Sequence, residues 1–515
     1  MATSQQPPTA SEAVSALHRG DSLRASVIVL IVLAGAQRLI GLLRNVFFCD
    51  MLESEQLGRW SLSYNFLLLA APFVVLGIPG SFGRYVEKYR QQGQLRAFLR
   101  RTIGVSSLLT MIAVAVMLVY PEPLAWLLFG DRAQSQLVWW LAGTLAAVLA
   151  FNSIMELLTA MRLVRIVSML QMFNSFAFAL VGVGLLYFTT MREQAVIVSY
   201  GIGSLVAAIG GAFVLARFWR GLPSQEPQLG QYDLWAQLMP FATWMWISNF
   251  VGNLFEAADQ FMLKHFSNVD AITADAMVGQ YYSSRVVPLL LASVAFMVGG
   301  SLLPHLLKDW EAGRRDQVCR RLNQAVKFLI LAFTFGSALV LLAAPLVFTW
   351  ALRGKYDAGL SVLPGTLMYY VWYGTGAVAN KYLLCAENAR IGCVAFAAGL
   401  VSNIGLNYLL APTLGLMGVV IATAVANALT LTLIYYLSWL NGMHWDRGVI
   451  FTSFLPLALC LGGWQAVAVT SLACFIAYRE GWLLDASEKT ELMGSVTAMI
   501  QRSRTALGMS MPAST

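Results

Sequence analysis

Runs of about 20 apolar residues recur from one end of this chain to the other, and they constrain its fold more than any other feature. A helix of that length crosses the roughly 30 Å hydrocarbon core of a bilayer while satisfying its own backbone hydrogen bonds. Only 12% of the 515 residues are charged, against roughly 25% in soluble proteins. The sequence therefore predicts an all-α polytopic membrane protein.

The apolar runs predict about fourteen transmembrane helices. Their approximate bounds are 26–47, 59–80, 102–120, 135–158, 166–188, 195–216, 236–262, 278–303, 325–348, 361–385, 391–411, 415–439, 448–462 and 464–483. The first run lacks the basic leader and cleavage site of a secretory signal, so it is predicted to be a retained span. The last two spans depend on one turn signal, Gly462-Gly463, and a single long span there would leave thirteen.

Lysine and arginine positions predict the orientation, because cytoplasmic loops carry an excess of both. Two loops concentrate them: Arg84, Lys88, Arg90, Arg96, Arg100 and Arg101 in one, and Lys308, Arg314, Arg315, Arg320, Arg321 and Lys327 in the other. Placing both loops and the basic C-terminal tail inside puts both termini in the cytoplasm and requires an even number of spans. The same charges could also attract anionic membrane lipids.

The two basic loops are copies of one another. Gly80-Ser81, Lys88, Gly93 and Arg100-Arg101 reappear 220 residues later as Gly300-Ser301, Lys308, Gly313 and Arg320-Arg321, and Gly58 is matched by Gly279 with one residue of slippage. The repeat covers six spans, an even number, so it predicts two six-helix lobes in parallel pseudo-twofold relation, as in transporters that work by rocking. The predicted regions are a disordered cytoplasmic tail 1–24, an N-lobe 25–220, a C-lobe 221–440, two further helices in 441–484 and an amphipathic cytoplasmic tail 485–515.

Ionisable residues inside the predicted spans are candidate site residues, because a charge near the bilayer centre usually faces a cavity or a partner. The candidate substrate-binding set is Arg38, Gly41, Arg44, Arg285 and Lys381, and the candidate coupling-ion or gating set is Glu156, Glu256 and Asp259. One interpretation pairs the acids with the arginines as structural ion pairs. The other is a cationic cavity for an anionic headgroup, since guanidinium suits phosphate oxygens, with a carboxylate binding a coupling cation.

Motifs of catalysis are missing from the sequence. It contains no Walker A sequence, HExxH or GxSxG, and its six cysteines and four histidines form no metal-ligand pattern. We therefore predict neither an enzyme nor a metal site, and no cofactor beyond a coupling Na⁺ or H⁺.

Several segments, in their order and spacing, resemble the superfamily of multidrug, oligosaccharidyl-lipid and polysaccharide exporters. They are RLIGLLRN (38–45), LGRWSLSYNF (57–66), GIPGSFGRYVEKYR (77–90), DQFML (259–263), VGQYYSSR (278–285), SLLPHLLK (301–308) and GLMGVVIAT (415–423). Residues Asn403, Asn407, Pro412, Gly415 and Gly418 resemble the polysaccharide flippase branch. The pattern of Arg38, Gly41 and Arg44, with Tyr282–Arg285 and Leu302–Pro304, resembles the lipid II flippases, whose matching arginines are implicated in pyrophosphate binding.

The resemblance implies a flippase for undecaprenyl-pyrophosphate-linked oligosaccharides in the cytoplasmic membrane, serving polysaccharide or O-antigen-type synthesis. A lipid II flippase and a multidrug or cation antiporter of the same fold are the alternatives, and the central arginines argue against cationic cargo. The implied partners are a lipid-linked anionic saccharide, membrane lipids and polysaccharide assembly machinery, without nucleic acid.

Overall fold

The computed structural model describes residues 23–219 and 230–479, and it confirms the all-α fold of a polytopic membrane protein. No β-strand occurs in these ranges. The α-helices are α1 Leu23–Met51, α2 Ser54–Val74, α3 Phe82–Gln91, α4 Leu95–Val119, α5 Pro121–Phe129, α6 Ser135–Ala160, α7 Val164–Phe188, α8 Glu193–Trp219, α9 Gln231–Phe266, α10 Ala271–Glu311, α11 Arg315–Leu346, α12 Asp357–Ala379, α13 Lys381–Cys385, α14 Ala389–Leu440, α15 Arg447–Phe454 and α16 Gly463–Arg479. The predicted tail 485–515 lies outside the described residues, as does most of the tail 1–24.

Length and composition identify the membrane-spanning helices. Within the described ranges, eight helices are long and apolar enough to cross a bilayer, and the bent pair Ser54–Val74 and Pro79–Gln91 is a ninth candidate. Helices α9 and α12 coincide with predicted spans but do not meet the same criteria. The multi-pass architecture is therefore confirmed, and the count of fourteen crossings stays a prediction.

Two glycines interrupt the helices where the sequence predicts boundaries between spans. Gly415, at φ 55° and ψ −128°, breaks α14 between the predicted eleventh and twelfth spans. Gly462, at φ 107°, separates α16 from the 3₁₀ turn Leu455–Leu461 that follows α15. Both lie in regions of φ that residues with a Cβ rarely adopt. The C-terminal region is therefore a pair of short apolar helices rather than one long helix.

The described chain divides into two compact units. The first comprises the described residues up to Val287, together with Leu346–Val362 and Leu400–Thr423. The second comprises Pro288–Pro345, Leu363–Gly399 and the described residues from Ala424 onward. Long helices such as α10 and α14 contribute residues to both units. The predicted lobes at 25–220 and 221–440 stay a prediction.

Helices α2 and α10 meet backbone to backbone in the first unit. A Cβ placed on Gly58 would lie 1.8 Å from the carbonyl oxygen of Asp275, and one placed on Gly279 would lie 1.8 Å from the carbonyl oxygen of Ser54. Glycine is therefore required at both positions, which are the positions that the internal repeat equates. The contact fixes Arg59 of α2 beside Asp275 of α10 and sets the position of the polar residues that follow Gly279.

Tyrosine and phenylalanine rings form much of an apolar cluster in the first unit. It contains Phe82 and Tyr85 of α3, Phe98 of α4 and Leu238 of α9, all nearly inaccessible to solvent. The ring of Tyr89 also stacks on Phe98, with centroids 4.7 Å apart. These contacts anchor the basic segment α3 through its aromatic face.

The second unit has its own apolar core and a pair of hydrogen bonds that hold one of its loops. Its cluster includes Leu322 and Ile330 of α11 and Ile434 of α14. Asn323 donates to the carbonyl of His444 at 2.7 Å and accepts from the backbone N–H of Asp446 at 3.2 Å. These bonds tie the loop before α15 to α11 and satisfy backbone groups that helix packing leaves open.

Candidate functional site

Arg44, on α1, is held by neutral groups in the first unit. Its Nε and Nη2 donate to Oδ1 of Asn45 at 3.4 and 3.3 Å, and its guanidinium carbon lies 4.1 Å from the centroid of the Phe178 ring. The hydroxyls of Tyr64, Tyr200 and Tyr282 are its electrostatic neighbours. Among the described residues no carboxylate bonds to Arg44, so its charge stays open to an anion.

Helix α10 brings a second arginine to the same region. The hydroxyl of Tyr282 donates to Oδ1 of Asn45 at 3.3 Å, which links α10 to α1. Arg285 is 6% exposed, and its guanidinium carbon lies 5.2 Å from the Tyr281 ring. Tyr64 lies within electrostatic range of Arg44, Arg285 and Glu256. Three of the predicted site residues therefore lie within electrostatic range of this one tyrosine.

Asp259 is the most thoroughly hydrogen-bonded carboxylate of the first unit. Its Oδ1 accepts from the amides of Asn403 and Asn407, both at 2.9 Å, and its Oδ2 accepts from Tyr281 Oη at 2.7 Å and Thr423 Oγ1 at 2.8 Å. The side chain is 2% exposed. All four donors are neutral, and among the described residues no basic side chain pairs with this carboxylate; both roles predicted for this acid stay predictions.

The surroundings of Asp259 offer further oxygen atoms. Oδ1 of Asn407 is buried and has no hydrogen-bond partner within the described residues, while Oδ1 of Asn403 accepts from Asn407 at 3.2 Å. Carboxylate, amide and hydroxyl oxygens are ligands of hard cations. The described residues hold no group of three or more His, Cys, Asp or Glu side chains that could bind a metal ion. The oxygen atoms around Asp259 are of the type that bind an alkali cation.

A cavity of about 360 Å³ adjoins the arginine region, because Tyr64 and Tyr200 line it. Glu156 of α6 also lines it and is exposed. Residues of α2, α6, α7, α8 and α9 complete the wall. The volume is in the lower part of the range for small-molecule sites.

Three predicted substrate-binding residues remain to be placed. Arg38 is half-buried, and its Nη1 donates to the carbonyl of Ala34 at 3.1 Å. Gly41 borders open space, since a Cβ there would meet only Nη2 of Arg44, at 3.9 Å. Lys381 belongs to the second unit, where it is half-buried at the start of α13. Their roles toward a substrate stay predictions.

An ion network in the first unit was not predicted from the sequence. Arg59 contacts Glu193 and Asp275, each at 3.0 Å, and Nζ of Lys264 contacts Asp275 at 2.5 Å. The side chains of Glu193, Lys264 and Asp275 are 9%, 1% and 4% exposed. These residues lie near the ends of predicted spans, where charged side chains ordinarily face water. The Gly58–Gly279 repeat match was the one signal that could have indicated the contact.

Comparison with known proteins adds the family. The family model described as polysaccharide biosynthesis protein matches residues 23–310, more than half of the chain. A probable lipid II flippase MurJ from Rhizobium tropici is 27% identical over 175 residues, which is 33% of this chain and 31% of that protein. The alignment therefore spans about a third of the curated relative.

Solved structures share the fold. A lipid II flippase MurJ in an inward closed conformation matches with a TM-score of 0.69 at 13% identity, over 88% of this chain and 99% of that one. An inward-facing multidrug resistance transporter of the MATE family matches with a TM-score of 0.61 at 13% identity, over 80% and 97%. At these identities the likeness concerns the fold. Together the comparisons confirm the resemblance to the multidrug, oligosaccharidyl-lipid and polysaccharide exporters.

Proposed function

We propose that this chain, which belongs to the polysaccharide biosynthesis protein family, translocates undecaprenyl-pyrophosphate-linked oligosaccharide precursors across the cytoplasmic membrane by alternating access. The observation that carries the proposal is the state of Arg44. Its guanidinium is held by an amide oxygen and an aromatic ring rather than by a carboxylate. A pyrophosphate offers the oxygens that a guanidinium binds in bidentate fashion.

The neighbourhood of Arg44 supports this assignment. Arg285 and Arg44 both lie within electrostatic range of Tyr64, as does Glu256, so two guanidinium groups and one carboxylate belong to this region of the first unit. Tyrosine hydroxyls there can donate to phosphate or sugar oxygens. The predicted contributions of Arg38, Gly41 and Lys381 to substrate binding belong to the same proposal, as do both termini on the cytoplasmic side and contact with polysaccharide assembly machinery.

Coupling to a cation is assigned to Asp259. The carboxylate of Asp259 is buried and is bonded by four neutral donors, and Oδ1 of Asn407, which has no hydrogen-bond partner among the described residues, belongs to the same cluster. A bound Na⁺ would supply positive charge in this cluster. The sequence places Glu156 and Glu256 in the same coupling or gating group, and that role remains part of the prediction.

A lipid II flippase is the second candidate. It is supported by the spacing of Arg38, Gly41 and Arg44 and by the 27% identity to the Rhizobium tropici protein over 175 residues. Both substrates carry a polyprenyl pyrophosphate, so the arginines serve either one. They differ beyond the pyrophosphate, because lipid II carries a peptide.

Transport by the full-length protein in proteoliposomes tests the proposal. A polyprenyl-pyrophosphate oligosaccharide and lipid II are each supplied, and the translocated fraction is measured with an impermeant enzyme that modifies the sugar. We expect transport of the oligosaccharide, a loss of about tenfold or more in Arg44→Ala and partial recovery in Arg44→Lys, which lacks the bidentate fork. Arg90→Ala, in the exposed pair with Glu87, is the matched control and should transport normally. Full transport by folded Arg44→Ala would refute the role of this arginine, and preference for lipid II would favour the second candidate.

A further inference from the structure

Two pairs of polar residues, one pair on α6 and one on α9, line the cavity beside Tyr64 and Tyr200. Asn152 and Glu156 are four residues apart on α6, and Asn249 and Asn253 are four residues apart on α9. Residues at this spacing lie on one helix face. Carboxamide groups and one carboxylate therefore line the cavity together with apolar side chains.

Most of these polar groups are not used by the protein. Within the described residues, the side chains of Asn152, Glu156 and Asn249 form no hydrogen bond or ion pair, whereas Asn253 donates to the carbonyl of Leu68 at 3.0 Å. Carboxamides supply both donors and acceptors, and a carboxylate supplies acceptors. Sugar hydroxyls present both functions at closely spaced positions. The unused groups match that pattern.

We propose that this cavity is a saccharide subsite in which Glu156 selects neutral sugar rings over uronic acids. The inference rests on the proposed function, because the subsite would receive the sugar that follows a pyrophosphate held by Arg44. Tyr64 and Tyr200 connect the two places, since both are electrostatic neighbours of Arg44 and both line the cavity. Glu156 is the one charged side chain among the described residues of the lining. It accepts from hydroxyl groups, and it repels a second carboxylate.

Binding to the full-length protein in nanodiscs tests the subsite. The probes are undecaprenyl pyrophosphate, the same lipid linked to glucose and the same lipid linked to glucuronic acid, which differs from glucose in one carboxylate. We expect the glucose-linked lipid to bind about tenfold more tightly than the glucuronate-linked one, as like-charge repulsion predicts. Glu156→Gln should bring this ratio close to one and change the binding of undecaprenyl pyrophosphate by less than it changes the binding of the glucuronate-linked lipid. Asn249→Ala should weaken the binding of the two sugar-linked lipids but not the binding of undecaprenyl pyrophosphate.

Controls separate the subsite from the function on which it rests. Glu122→Gln alters an exposed carboxylate outside the cavity and should keep the wild-type ratio. A thermal unfolding curve of Glu156→Gln that matches wild type establishes folding. The subsite would be overturned if folded Glu156→Gln kept the wild-type preference for the glucose-linked lipid. It would also be overturned if tetraphenylphosphonium displaced the lipids and the wild-type protein did not discriminate between the two sugars. Either result would leave the pyrophosphate site unaffected. If the wild-type protein bound none of the three lipids, the proposed function itself would be overturned.

Discussion

Two arginine regions of the first unit differ in what surrounds the guanidinium. Arg59 is bound by the carboxylates of Glu193 and Asp275, each at 3.0 Å. Arg44 contacts an amide oxygen and a phenylalanine ring. Among the described residues, two carboxylates bond to Arg59 and none bonds to Arg44. Direct bonding by carboxylates therefore distinguishes a guanidinium that holds helices together from one that is available to a ligand.

The largest effect should follow from Arg59→Ala. Removing this side chain leaves Glu193 without its ion-pair partner and Asp275 with Lys264 alone, and unpairing a buried charge costs about 3 kcal/mol. We expect a marked fall in the thermal unfolding temperature of the detergent-purified protein. Arg90→Ala, in the exposed pair with Glu87, is the control and should unfold almost as wild type does. An equal response of both variants would mean that the network adds no stability.

Asp259→Asn should have an intermediate effect on stability. The amide keeps one acceptor oxygen, but its NH₂ group faces Asn amides or hydroxyls that now donate to the carboxylate, so two of the four bonds must be rearranged. A buried polar group left unsatisfied costs about 1–3 kcal/mol. Denaturant unfolding with and without Na⁺ measures this cost. If Na⁺ stabilises the variant as much as wild type, the assignment of the cation to Asp259 is incorrect.

Arg44→Ala should have the smallest effect on stability. The variant loses one cation–π contact and hydrogen bonds to Asn45, and it strands no carboxylate, so the change should be within about 1 kcal/mol. The unfolding temperature of Arg44→Ala, measured in the same experiment as that of Arg59→Ala, compares the structural contributions of the two arginines. If Arg44→Ala were destabilised as strongly as Arg59→Ala, the guanidinium would be structural, and its availability to an anion would have to be abandoned.

Much of the fold could be predicted from the sequence because apolar length and glycine position act locally. The spans follow from hydropathy, and the breaks at Gly415 and Gly462 follow from residues that permit unusual backbone angles. Arg44, Arg285 and Glu256 were candidates because charge in an apolar run is costly wherever the helix packs. That all three lie within electrostatic range of Tyr64 depends on tertiary packing and could only be hypothesised.

The partners of Asp259 and Arg59 were beyond the reach of sequence reasoning. Asn403 and Thr423 lie more than 140 residues after Asp259, and Asp275 lies 216 residues after Arg59. Asparagine and threonine within a span carry no charge to draw attention to them, and they were noted only as family markers. An arginine near a span end is indistinguishable by pattern from one that faces water. Which polar groups meet is decided by helix packing, which leaves no local periodicity.

The reciprocal contact of Gly58 and Gly279 has a kinetic consequence. Because each glycine meets a carbonyl oxygen of the opposite helix, the two backbones are in direct contact at this crossing. Separating α2 from α10 there would also break the ion pair of Arg59 with Asp275 and hydrate both charges. The rate at which these helices separate should accordingly depend on the strength of this ion pair.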